Sequence, residues 1–414
     1  MNQMGNEARR AAERVARESY GRLVAFLAAR TRDVAGAEDA LAEAFATALR
    51  MWPEDGVPSN PDAWLLTVAR RRQTDAVRRR QTRTAGETHL KLIADEIEAA
   101  METPDEIPDR RLALMFTCAH PAIEPGMRAP LILQTILGLT AQDIAAAFLI
   151  PPATMGQRLV RAKTRIKEAG IPFRVPDREE LPGRLDAVLE AIYAAYAKGW
   201  GEIGETGSAQ MAEEAIWLGQ LVVTLMPEEP EAKGMLALML YTEARRRARR
   251  SPTGAYVPLE EQNTALWDDW QIDLAENLLR QANAGGPSGR YQIEAAIQSA
   301  HAARRLRGAP TWPVVISLYD HLLSLTGSPV VALNRAVARA EVEGPIAALE
   351  DIAAIAADKR MADYQPYWAA LGHLNALAGN REAAFEAWTL ASGLSADPAV
   401  RHYLNDRIAA LRNG

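Results

Sequence analysis

Residues 139–167, LTAQDIAAAFLIPPATMGQRLVRAKTRIK, decide how this chain is read. Thr140 is placed to cap a short helix, with Asp143 three positions on to complete a reciprocal box. Ile144 and Phe148 fall i,i+4 on one side of that helix. Leu149-Ile150-Pro151-Pro152 then breaks it, and Pro152 suits the first turn of a second helix. There Met155, Leu159, Ala162 and Ile166 have the spacing of an apolar stripe. Arg158, Arg161 and Arg165 repeat that spacing on another face, beside Lys163 and Lys167. From Arg158 to Lys167 the chain has five cations and no acid. The pattern predicts a helix-turn-helix, one face packing and the other meeting phosphates and major-groove base edges. A solvated cationic face is the alternative reading.

At 414 residues, with 48% hydrophobic residues, the chain is long enough for two or three domains with substantial cores. Ala, Leu, Arg and Glu dominate and alternating β-branched runs are few, so the fold class expected is all-α. Cys118 is the only cysteine. It excludes an internal disulfide, fits a reducing compartment, and reads as a small buried residue. With no apolar leader or run of membrane-spanning length, the expectation is a cytosolic protein without a membrane partner.

The net charge of −6 is unevenly placed. Through Gly170 there are 24 Lys and Arg against 22 Asp and Glu; after it there are 23 against 31. Local patches rather than the total steer binding to phosphate. A second patch lies in DAWLLTVARRRQTDAVRRR, where Arg70, Arg71, Arg72, Arg78, Arg79, Arg80 and then Arg83 face the single acid Asp75. This density suggests a nucleic-acid strand lying along the helix. Trp64, Leu65 and Val68 form its packed side, and Trp64 is read first as a core residue. Upstream, residues 7–30 predict a helix with Val15, Leu23, Phe26 and Leu27 buried. DVAGAEDALAEAFATALRMWP places Ala37, Leu41, Ala44, Phe45 and Ala48 on one face and Asp39, Glu43 and Thr47 on another. That acidic stripe is either solvated or a docking face for a basic partner. Pro53, Gly56, Pro58 and Pro61 mark a loop between the two helices.

These three motifs, in this order, resemble the extracytoplasmic-function group of the sigma-70 family over roughly the first 170 residues. The resemblance implies that Asp39, Leu41, Glu43 and Phe45 grip core RNA polymerase at the clamp of its largest subunit. It places Asn60, Asp62 and Trp64 around the loop that receives an unpaired −10 base. Arg70, Arg71, Arg72, Arg78 and Arg79 would run along the non-template strand of promoter DNA. At the −35 element Gln157, Val160 and Arg161 would read base edges, while Thr154, Arg158, Lys163 and Arg165 would meet phosphate or pack. Arg71 stands where many relatives have Asn, and Gly156 where a basic residue is common, so the promoter sequence does not transfer.

The implied division is region 2 over 1–83, an acidic linker over 84–109, region 4 over 110–177 and an extension over 178–414. Ala94 to Asp109 holds seven acids and no base, which suits a tether. The extension reads as helix pairs near 209–250 and 260–306, then SPVVALNRAVARAEVEGPIAALEDIAAIA, then a unit beginning at Trp368. Trp368, Leu371, Gly372, Ala384, Trp388, Ala391 and Pro398 fit a degenerate tetratricopeptide pattern. With LEEQNTALWDDW and YQIEAAIQSAHA, the extension resembles that of a sigma subgroup with a C-terminal tetratricopeptide-like domain. This implies a control element and a regulatory protein or peptide as partner. Trp267, Trp270, Trp312, Trp368 and Trp388 read mostly as core. Arg245, Arg246, Arg247, Arg249 and Arg250 read as a solvated helix end or as a contact for DNA or the acidic linker.

An enzyme is not expected. His89, His120, His301, His321, His373 and His402 are scattered, and no phosphate loop, paired-Cys metal site or nucleophile motif is present. No cofactor or metal is expected. The competing readings are a DNA-binding regulator that acts without polymerase, and a scaffold whose function lies in the repeats.

Overall fold

The computed structural model describes residues 8–12, 15, 19–20, 23–24, 26–28, 34–80, 109–168, 176–201, 208–284, 288–308 and 311–413. Among them the regular structure is helical, apart from one isolated antiparallel bridge between Arg250 and Tyr256. The all-α expectation holds. No described helix is long and apolar enough to cross a membrane. The chain forms two compact units, Met1–Ala195 and Tyr196–Gly414.

In the first unit α1, Val34–Asp55, packs on α2, Pro61–Arg80. Ala37, Leu41, Ala44 and Ala48 are fully buried along α1 and meet Leu65 and Ala69 of α2. Val15, Leu23 and Leu27 join this core, while Phe26 is only half-buried. Pro53 sits inside the last turn of α1 rather than in the loop expected there. The loop starts at Gly56, whose φ of 85° suits a residue without a Cβ. Helices α3, Arg110–Cys118, and α4, Pro125–Thr135, support α5, Ala141–Ala147, and α6, Pro152–Glu168. Cys118 is wholly buried, and burial pushes its thiol up to about 12, far from a reactive thiolate.

The boundary between the two units falls inside the next helix. Helix α7, Pro182–Gly201, carries Arg184 in its first turn, whose guanidinium is buried and donates to the Phe116 carbonyl at 3.1 Å and to Glu180 at 3.0 Å. The first of these bonds ties the start of α7 to α3.

The second unit continues with α8, Ser208–Leu225; α9, Pro230–Glu243; α10, Asp269–Asn283; and α11, Arg290–Ala302. After the short α12, Arg304–Arg307, come α13, Trp312–Thr326; α14, Pro329–Glu343; and α15, Pro345–Ile355. The series ends with α16, Gln365–Leu377; α17, Arg381–Leu394; and α18, Pro398–Asn413. Neighbours pack as successive pairs, α13 on α14, α14 on α15, α16 on α17 and α17 on α18. Gly379 turns α16 into α17 at a φ of 83°.

The arginine row after α9 is neither a solvated end nor a free basic surface. Arg245 donates to Gln298 at 2.7 Å, Arg246 pairs with Glu243, Arg250 pairs with Asp397, and Arg249 lies over the Trp200 ring at 4.2 Å. Only Arg247 of the five is exposed. Desolvation lowers Arg245 and Arg249 to about 10, leaving both cationic at neutral pH. Trp267 and Trp388 are core residues as expected, but Trp270 is 69% exposed.

Candidate nucleic-acid interface

The helix-turn-helix is built by local chemistry. The Thr140 hydroxyl accepts from the Asp143 N–H at 3.2 Å, and the Asp143 carboxylate accepts from the Thr140 N–H at 3.1 Å. Such a cap is worth about 1 kcal/mol. Leu149 turns the chain at a φ of 51°, a left-handed conformation that costs a leucine about 1 kcal/mol. Pro152 then opens α6. Met155, Leu159 and Ile166 are buried beneath it, each such side chain contributing roughly 1.5–3 kcal/mol.

The opposite side of α6 faces solvent. Gln157, Arg158, Arg161 and Arg165 are exposed, and Val160 is 66% exposed. Thr154 is half-buried. Arg161 is held only loosely, its Nε donating to the Gln157 carbonyl at 3.4 Å. Lys163, read as meeting phosphate or packing, forms an ion pair through its ammonium with Glu38 of α1, and both side chains are largely sheltered. Nothing in the local sequence signals this contact, because the partners lie 125 positions apart.

Around the start of α2, Asn60 is exposed and caps the helix, accepting from the Ala63 N–H at 3.1 Å. Asp62 is half-buried and accepts from the Ser19 hydroxyl at 2.9 Å. Trp64 is half-buried, edge-on to Trp52 with ring centroids 5.5 Å apart. Further along, Arg71 and Arg72 are exposed, and Arg72 reaches Glu43 at 3.2 Å. Arg70 does not join them; its guanidinium lies over the Phe26 ring at 4.4 Å, because its face of α2 turns toward the helix before α1. Arg78 and Arg79 fall on α2, but their side chains lie outside the described residues, as does the acidic stretch 84–108.

On α1, Asp39 and Glu43 are exposed and Phe45 is half-buried, stacked on Tyr20 at 6.3 Å. Leu41, expected among the polymerase-gripping residues, is fully buried. It shares the stripe of Ala37, Ala44 and Ala48 and so supports the acidic face from below. Among the described residues no group of three or more His, Cys, Asp or Glu is placed to hold a metal.

Among the described residues the chain is helical, with exposed arginines on α2 and α6, and comparison with known proteins bears on its class. Sigma-70 region 2 matches residues 15–83, and a family of unknown function, DUF6596, matches residues 184–283. An uncharacterised protein of Rhizobium meliloti (strain 1021) is 37% identical over 384 residues, 90% of each chain. The probable RNA polymerase sigma-C factor of Mycobacterium bovis is 29% identical over 154 residues, 34% of this chain and 72% of that one. The ECF RNA polymerase sigma factor SigC of Mycobacterium tuberculosis matches to the same extent. No solved structure matches the chain. The chain belongs to the family of the Rhizobium meliloti protein, and the region 2 match together with the two mycobacterial relatives supports a sigma-70 type of sigma factor.

Proposed function

We propose that this protein is an extracytoplasmic-function sigma factor that binds core RNA polymerase, recognises promoter −10 and −35 elements and directs transcription initiation. The observation that carries the reading is the two-faced α6, with Met155, Leu159 and Ile166 buried while Gln157, Arg158, Val160, Arg161 and Arg165 stand outward. Gln157 and Arg161 are the side chains for base edges, Val160 for a thymine methyl, and Arg158 and Arg165 for phosphates. Thr154 flanks them, and Lys163 joins only when its pair with Glu38 opens.

At the −10 element the α2 start supplies Asn60, Asp62 and Trp64. Arg71, Arg72, Arg78 and Arg79 follow the single strand, and Arg70 braces the helix. Opening duplex DNA costs stacking and pairing energy, which cations and a pocket for an extruded base offset. The exposed Asp39 and Glu43, with Phe45 at their edge, form the surface for the polymerase clamp. Functionally the chain divides into 1–83, 84–109, 110–177 and the extension 178–414. We read the extension's paired helices as tetratricopeptide-like repeats that regulate the rest through a protein or peptide.

The deciding experiment is run-off transcription with core enzyme on genomic fragments. Specific transcripts support the reading. DNA binding with no core-polymerase binding would replace it with a regulator acting alone. Truncation after Pro176 tests the extension: constitutive activity indicates inhibition, inactivity indicates a required element, and unchanged regulated activity excludes both.

A further inference from the structure

The second unit contains a cavity of about 350 Å³ that none of the promoter-binding surfaces uses. Small-molecule sites take roughly 300–1,000 Å³. Its walls come from five places in the fold, one of them α12 with Arg304. Glu260 lies on the turn before α10, His301 at the end of α11, Trp312 and Tyr319 on α13, and Asn334 and Glu341 on α14. The site therefore exists only when these helices are stacked, and its geometry is that of the folded unit.

The charges decide what fits. Arg304 is the one Lys or Arg among the lining residues, and its guanidinium is already engaged. It donates to the carbonyls of Leu259 at 2.5 Å, Glu260 at 2.7 Å and Gln262 at 3.0 Å, fixing the turn that carries Glu260. The Glu260 and Glu341 carboxylates line the same space, and among the described residues neither has a salt-bridge partner. Burial, reinforced by repulsion from Glu260, holds the Glu341 carboxyl above its usual range, with His373 opposing. The remaining polar walls are neutral. Desolvation, with help from Arg245 and Arg304, pushes His301 down to about 4, so its imidazole is uncharged at neutral pH. Burial raises the Tyr319 phenol to about 12, so it is a neutral hydroxyl. Trp312 stands edge-on to His301 with ring centroids 5.7 Å apart, and its indole forms an aromatic wall.

We propose that this cavity binds a small organic cation, an amine or guanidinium carried on a compact aromatic or aliphatic body. Glu260 and Glu341 both remain solvent-exposed, and a cation between them relieves the repulsion that helps to raise the Glu341 carboxyl. The adjacent indole adds attraction through its negative face. Asn334, Tyr319 and neutral His301 supply hydrogen-bond donors and acceptors without opposing the charge. A carboxylate or phosphate ligand would meet two like charges, and the nearby guanidinium has its two terminal nitrogens committed to backbone. The site is contained in one unit and does not depend on the promoter-binding reading.

The test uses the full-length chain and three probes at pH 7.5, titrated by calorimetry: tryptamine, agmatine and indole-3-propionate. At least one of the two cations should bind with a dissociation constant below about 1 mM, and at least about tenfold more tightly than the carboxylate. Glu341→Gln should weaken cation binding about tenfold while the helical circular-dichroism signal is retained. Glu260→Gln, on a turn rather than a helix, should give a similar loss and serves if the first variant is poorly folded. Absence of cation binding, preference for indole-3-propionate, or unchanged binding in both folded variants would overturn the proposal.

Discussion

The ammonium of Lys163 on α6 is paired with the carboxylate of Glu38 on α1, so the helix read as DNA-facing is tied to the helix read as polymerase-facing. The pair holds a cation that would otherwise be free for phosphate. Glu38→Gln removes the partner without changing its size. We expect the variant to bind duplex DNA about two- to fivefold more tightly at low salt, with a slope of log K against log salt steeper by about 0.9. Fluorescence anisotropy across a salt series measures both. An unchanged slope would mean that Lys163 reaches no phosphate even when released.

Arg161 is exposed and only weakly held by its own helix. Arg161→Ala should therefore cost about 1–3 kcal/mol on the cognate −35 element, once that element has been selected from a random pool. On scrambled sequence the loss should be smaller. Equal losses on both would make Arg161 a phosphate contact instead of a base contact.

Asp39 and Glu43 are exposed one helical turn apart on α1, above a core of Leu41 and small alanines. Reversing both charges, Asp39→Lys with Glu43→Lys, should leave the helix folded. Affinity for core polymerase should fall at least about tenfold, equivalent to about 1.4 kcal/mol. Competition binding against labelled wild type measures it, and equal affinity would remove this face from the docking surface. Glu43 also reaches Arg72 at 3.2 Å, but both side chains are at least half exposed, so the pair is worth on the order of 0–1 kcal/mol and should not mask the effect.

What was legible in the chain was local. Thr140, Asp143, Pro152 and the Met155–Leu159–Ile166 stripe carry their conformational preferences within one or two helical turns, and the structure has them in those roles. Leu41 shows the limit of a family resemblance: its spacing from Ala37, Ala44 and Ala48 already placed it on the buried face, while the resemblance placed it on the docking face. The contacts of Arg70 and Lys163 were not legible because their partners, Phe26 and Glu38, sit far away in sequence. The arginines at 245–250 were misread for the same reason, since Gln298, Trp200 and Asp397 meet them only after folding. The cavity between α11, α13 and α14 has no sequence signature, because its walls belong to separate helices.

His301 makes the second unit sensitive to acid. The folded unit holds this imidazole neutral until the pH approaches 4, whereas the unfolded chain takes up a proton near 6.5. Unfolding therefore gains protons as the pH falls through that window, and stability drops across it while remaining level above it. Between pH 7.5 and 5 the loss from this group should be about 2 kcal/mol. Urea unfolding of wild type and His301→Gln at the two pH values isolates it: the variant should lose less. An identical loss in both would mean that His301 is not the sensing group.

Two glycines in helices should respond in opposite ways to the same change. A Cβ added to Gly156 on α6 meets nothing within 4 Å, so Gly156→Ala should gain helix propensity and stabilise by up to about 1 kcal/mol. A Cβ added to Gly372 on α16 would lie 2.4 Å from Cδ1 and 2.6 Å from Nε1 of Trp388. That ring is buried, and its Nε1 donates to the Ala369 carbonyl at 3.2 Å, so moving it would break a hydrogen bond as well as the packing of α16 on α17. Gly372→Ala should therefore destabilise by about 1–3 kcal/mol despite its better helix propensity. Thermal unfolding of the two variants beside wild type reads both signs. A stabilised Gly372→Ala would mean that the two helices stand farther apart in solution than the Trp388 contact requires.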